Sequence, residues 1–90
     1  MHTYTWKEFT EDIINRVHEK QKSIKVKVFD TGGEIVRMNF SESDFSTYTV
    51  FDKRLIDRER AKECAMNCLY SYQLWAEENL KSLNWSVYEA

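Results

Sequence analysis

Cys64 and Cys68 are the residues of this chain whose type best suits chemistry. Paired thiolates can hold a metal or cycle through a disulfide. Zinc needs four ligands, and its common knuckle spacing is Cys-x-x-Cys in a turn. Here the spacing is Cys-x-x-x-Cys, which on a helix puts both thiols on one face, where disulfide geometry is poor. The two histidines are His2 and His18, and only a coincidence of folding would bring them to the thiols. Both cysteines are therefore expected as free thiols that pack as small hydrophobes. His18 has no Ser or Cys nucleophile paired with it by any motif and is expected as an ordinary boundary residue. His2 lies in an N-terminus expected to fray. Among the carboxylates, Glu11 and Asp12 are adjacent and diverge around a helix, Glu42 and Asp44 share a turn, and Glu77 and Glu78 face solvent. Nothing selects a pair for acid–base work. Gly32-Gly33 lacks the Gly-x-x-x-x-Gly-Lys pattern and leads into a strand, so it is no phosphate loop. No catalytic, cofactor-binding or metal residue is assigned, no cofactor is expected, and the chain reads as not an enzyme.

Composition sets the outer bounds. Ninety residues make one domain, 1–90. With 42% hydrophobic and 31% charged residues, the chain can build one core, which argues against wholesale disorder. A net charge of −2 does not advertise a polyanionic partner. No apolar run approaches the roughly 20 residues a membrane helix needs. Met1 to Glu8 has no basic segment leading into an apolar one, so no secretion signal is expected there. The expected location is the cytoplasm, a host's if the gene is phage-borne, and no membrane partner is expected.

The first helix is announced by Thr5-Trp6-Lys7-Glu8, a capping box, with Tyr4 and Phe9 at the positions of a hydrophobic staple. Trp6, Phe9, Ile13 and Val17 recur at helical spacing, which predicts a helix from about residue 6 to 21. From Ser23 the period drops to two. Ile24, Val26 and Val28 alternate with Lys25 and Lys27, as in a half-buried strand. Two glycines then offer positive φ for a hairpin, and Val36, Met38 and Phe40 alternate with Ile35, Arg37 and Asn39. After the polar turn at 41–44, Phe45 to Phe51 reads as a third strand. Both its faces carry apolar side chains, so alternation assigns neither to the core. A long helix is predicted over about 55–83, its stripe running through Ala61, Cys64, Ala65, Cys68, Leu69, Tyr72, Trp75, Ala76, Leu80 and Leu83. Asp57 can act as an internal N-cap and Asn84 can close the helix. Trp85 to Tyr88 alternates weakly, as a docked tail or a short strand would. The predicted fold is α+β: two layers in the order α-β-β-β-α, with a three-stranded antiparallel sheet and both helices on one of its faces.

Two surfaces stand out as partner-binding candidates. Met66, Tyr70 and Leu74 form an i, i+4, i+8 row opposite the core stripe of the long helix, flanked by Glu63, Glu77 and Lys81. An apolar ridge with a polar rim suits a protein partner, or a homodimer through this helix, unless the C-terminal tail covers it with Trp85 or Tyr88. Lys25, Lys27 and Arg37, with Asn39 beside them, lie on the outer face of adjacent strands. There they could meet an acidic partner or phosphates, or simply discourage edge aggregation.

The element order, together with Arg58-Glu59-Arg60-Ala61-Lys62-Glu63-Cys64-Ala65-Met66, resembles the double-stranded RNA-binding domain. The second helix of that family opens with a Lys-Lys-x-Ala-Lys-x-x-Ala-Ala pattern. The resemblance implies phosphate contacts at Arg58 and Lys62. Glu59 stands where the family's second lysine would be, and Phe51 to Leu55 replaces its Gly-rich approach. In size, in aromatic content (14%) and in lacking an active-site motif, the chain is also similar to small phage-encoded inhibitors of host defence, anti-CRISPR proteins among them. The leading expectation is a non-catalytic binding protein acting stoichiometrically on a macromolecular partner, as an inhibitor or adaptor of phage or mobile-element type. The alternative is a nucleic-acid-binding module.

Overall fold

The fold is seen in a computed structural model that describes residues 3–80, 83 and 85–87. Helix α1 (Trp6–Lys20) is followed by strands β1 (Lys25–Asp30), β2 (Ile35–Glu42) and β3 (Phe45–Asp52), then helix α2 (Arg58–Asn79). The strands form one antiparallel sheet in the order β1-β2-β3. This is the α+β, α-β-β-β-α arrangement that the sequence predicts.

The helix starts follow the caps. The Glu8 amide donates to Thr5 Oγ1 at 3.2 Å, and the Thr5 amide donates to Glu8 Oε1 at 3.4 Å. The Tyr4 and Phe9 rings meet edge to face at 6.4 Å between centroids, so the staple forms as well. Asp57 caps α2 by accepting from the Arg60 amide at 2.8 Å. Helix α2 therefore starts at Arg58 and not at the predicted Leu55, which is 70% exposed. Its C-cap is Leu80. Asn84, Lys81 and Tyr88 lie outside the described residues, as does His2.

The inner face of the sheet carries Val36, Met38 and Phe40 from β2, with Phe45 and Phe51 from β3, all buried. They close one core with Phe9, Ile13 and Val17 of α1, Ile24, and Ala61, Cys64, Ala65, Cys68, Leu69, Tyr72 and Ala76 of α2. Register resolves the third strand. Phe51 pairs with Val36 and Thr49 with Met38, so Phe45, Thr47, Thr49 and Phe51 point inward while Tyr48 and Val50 point out. Three expectations fail. Val28 faces the core side but is 40% exposed, because β1 is an edge strand that α2 does not reach across. Leu80 is exposed because the helix stops there. Of the two glycines only Gly32 takes positive φ, at +92°, with its amide donating to Asp30 Oδ1; Gly33 does not need the freedom of glycine.

The tail docks on the core without forming a strand over residues 85–87. The Trp85 ring stacks on Tyr72, with centroids 6.2 Å apart and planes 14° apart, and its Nε1 donates to Gln21 Oε1. The Val87 amide donates to Gln73 Oε1 at 2.9 Å.

Candidate binding surfaces

The residues of greatest chemical promise by type are used in packing. Both thiols are free and buried, and burial pushes the Cys68 thiol up to about 12, far from a nucleophile's range. They border a cleft of about 220 Å³ between β3 and α2, where Thr49 Oγ1 lies 3.7 Å from Cys64 Sγ. His18 Nε2 donates to the Ile24 carbonyl at 2.8 Å, tying the end of α1 to the entry of β1. Among the described residues no group of three or more His, Cys, Asp or Glu side chains could hold a metal ion.

The outer sheet face has a different character. The register lays it out in rows: Lys25–Ser41–Ser46, Lys27–Asn39–Tyr48, Phe29–Arg37–Val50, then Ile35–Asp52. The three basic residues picked out in the sequence do share this face. They share it with four large apolar side chains: Phe29, Ile35, Tyr48 and Val50 are 48%, 53%, 58% and 44% exposed, so no described element covers them. Arg37 is fixed at the centre. Its Nε donates to Asn39 Oδ1 at 2.8 Å, and its guanidinium lies 4.1 Å from the Tyr48 ring centroid, in cation–π range.

Four carboxylates on or near this face are occupied. Asp52 accepts from the Arg54 side chain and amide, which hold its carboxyl down at about 2. Glu34 lies 3.6 Å from the same guanidinium. Asp30 shares the inward row of Val36 and pairs with Lys53 at 2.9 Å. Glu42 shares the inward row of Phe45 and accepts from Tyr72. Thus Lys25, Lys27 and Arg37 give the outer face a local positive charge on a net-negative chain.

Phe29, Ile35, Tyr48 and Val50 are the residues of this face that the sequence reading missed. Phe29 was legible, since it is in phase with Lys25 and Lys27. Tyr48 was not, because the face of β3 depends on its register with β2.

On α2, Met66, Tyr70 and Leu74 are 37%, 41% and 45% exposed, as the helical spacing predicts. Trp85 lies against Tyr72 on the core side, so it is not a cover for this ridge. Arg58 does not stand ready for phosphate. Its Nη1 lies 3.4 Å from Asp12 Oδ2 and its guanidinium 4.7 Å from the Tyr4 ring centroid. That cluster joins the N-termini of the two helices, with the Tyr4 hydroxyl donating to the same Asp12 oxygen.

The described helices include none long and apolar enough to cross a membrane. Compared with protein families, with curated proteins and with solved structures, the chain finds no match.

Proposed function

We propose that this chain is a non-catalytic binding protein that seats a macromolecular partner, stoichiometrically, on the outer face of its sheet. The observation that carries this reading is that face itself: Phe29, Ile35, Tyr48 and Val50 exposed together among Lys25, Lys27 and Arg37. A monomer with no partner gains nothing from four large apolar side chains on one uncovered face, and patches of this kind mark interaction sites. The non-catalytic part is supported by the use of His18, Cys64 and Cys68 as packing and linking groups. An inhibitor or adaptor of phage or mobile-element type is the form of this function that suits a small single domain with one working face.

The second surface, Met66, Tyr70 and Leu74 on α2, supports contact with a protein, a second copy included. Photocrosslinking separates the two. Benzoylphenylalanine is placed at Tyr48, at Tyr70, or at Glu19 as an exposed α1 control, and the cell of origin is irradiated. Adducts are then digested with nuclease or protease. An adduct at position 48 that is absent at 19 is the expected result. Adducts at 70 alone would move the working face to α2, and none at either position would sink the binding-protein reading.

A further inference from the structure

Resting on the sheet-face reading, we propose that the partner is a single-stranded nucleic acid, its bases stacked on Phe29 and Tyr48 and its phosphates held by Lys25, Lys27 and Arg37. Three observations converge. The first is charge: the outward strand positions carry three cations, and their one carboxylate, Asp52, is consumed by Arg54. The helices, in the other layer, carry eight carboxylates against six lysines and arginines. The outer sheet face is therefore locally positive beside a weakly negative helix layer, and this favours the approach of a polyanion to the sheet despite the net charge of −2.

The second observation is ring placement. Phe29 lies on β1 and Tyr48 on β3, one row apart along the strands, with Arg37 between them on β2. At about 4.8 Å between strands and about 3.4 Å per residue, the two rings' backbone positions are about 12 Å apart. Phe29 can take one base, and Tyr48, whose ring already carries the Arg37 guanidinium at 4.1 Å on one face, can take another on the stack that the two form. Lys25 and Lys27 stand about 7 Å apart along the edge strand beside this diagonal, where a sugar–phosphate backbone would run. An acidic protein would match the cations but would leave this arrangement of planar groups without a purpose.

The third observation selects single strands over duplex. Paired bases in a duplex are already stacked and cannot lie on protein rings. Of Arg58 and Lys62, the two residues for which a duplex-type phosphate contact is implied, Arg58 is engaged by Asp12 and Tyr4 instead.

The test is fluorescence polarisation of the full chain with labelled 12-nucleotide oligo(dT), oligo(rU) and a duplex of the same length. Binding to single strands is expected, and three phosphate contacts predict an affinity loss of about 20-fold between 50 and 200 mM salt. Lys25→Gln, Lys27→Gln and Arg37→Gln together should flatten that slope. Phe29→Leu and Tyr48→Leu keep apolar bulk and remove the π face, and each should weaken binding by about 5- to 150-fold. Tyr48→Phe should retain it. Thermal melts confirm that each variant is folded. Failure to bind single strands at 50 mM salt, equal binding of duplex, or indifference to both leucine variants would overturn the inference. A protein adduct at position 48 with no oligonucleotide binding would refute the nucleic-acid partner and leave the sheet-face reading standing. Absence of any adduct there would remove both.

Discussion

The phenol of Tyr72 donates to Glu42 Oε2 at 2.9 Å, so one bond fastens the middle of α2 to the turn end of β2. Tyr72 is 2% exposed and sits edge to face on Phe45 at 5.1 Å. Its ring and its hydroxyl thus serve different links in the fold, and substitutions can separate them. Tyr72→Phe removes only the bond and should cost about 1.5 kcal/mol, the low end for a charged acceptor because Glu42 is half-buried. Tyr72→Ala also empties the space under Trp85 and should cost about 3–5 kcal/mol. Urea denaturation of the two variants measures both. Equal losses would mean that the ring packing contributes nothing beyond the bond.

The same tyrosine gives the fold an alkaline limit. Burial, and then the bond to Glu42, push the Tyr72 hydroxyl up to about 12; burial, and then the bond to Asp12, do the same for Tyr4. The folded state therefore keeps these protons where the unfolded chain, titrating near 10, releases them. The stability they contribute is complete below pH 10 and is lost as the pH rises toward 12. At the acid end the signs reverse. Asp52 is held at about 2 by Arg54, and Asp30 is lowered by the Gly32 amide and Lys53. Their stabilisation is present above about pH 4 and is lost as the pH falls, that of Asp52 as it passes through about 2. Denaturation midpoints across pH should show both declines, with the alkaline one flattened in a Tyr4→Phe, Tyr72→Phe double variant.

The thiols should behave as core atoms. Cys64→Ala with Cys68→Ala should lower stability by about 1–3 kcal/mol through lost packing. A thiol reagent at pH 8 should label native protein far more slowly than unfolded protein, since Cys68 is buried and its thiol is pushed up to about 12. A stoichiometric zinc signal that vanishes in the double variant would contradict the packing role.

Much of this fold was readable because local and tertiary signals agree. Thr5, Glu8, Tyr4 and Phe9 define a helix start within six residues, and the structure forms every contact they imply. The alternation in β2 likewise placed Arg37 and Asn39 outside and Met38 inside. What could not be read depends on pairing. Phe45 to Phe51 is apolar on both faces, so only its register with β2 shows that Tyr48 and Val50 face out. Val28 obeys the alternation and is still exposed, because alternation says which way a side chain points and not whether anything lies opposite. The end of α2 was overestimated for a similar reason: Leu80 and Leu83 continue the apolar period, although the helix ends at Asn79 with Leu80 as its C-cap. The engagement of Arg58 by Asp12, 46 residues away, has no local signal at all.

The helix caps give a direct check on that local logic. Thr5→Ala and Asp57→Ala each remove a side-chain acceptor from a helix N-terminus and should each cost about 1 kcal/mol. Because the Tyr4–Asp12–Arg58 cluster joins the two helix N-termini, the double variant should depart from the sum by more than about 0.5 kcal/mol. Thr5→Ser and Asp57→Asn should restore most of the loss.

The last prediction concerns the two sides of α2. Tyr70 lies on the outward ridge with Met66 and Leu74, while Tyr72 faces the core beneath Trp85. Tyr70 is 41% exposed and Tyr72 2%, so Tyr70→Ala should cost less stability than either Tyr72→Ala or Trp85→Ala. Trp85→Ala removes the ring stacked on Tyr72 and should lower the melting temperature by several degrees, since about 1 kcal/mol moves a domain of this size by roughly 4–8 °C. If a second copy docks on the ridge, sedimentation of the wild type should depend on concentration and Tyr70→Ala should abolish that dependence, a loss of about 1–3 kcal/mol in association. A Tyr70→Ala variant that melts as early as Trp85→Ala and sediments like the wild type would show that the ridge belongs to the folded core and not to an interface.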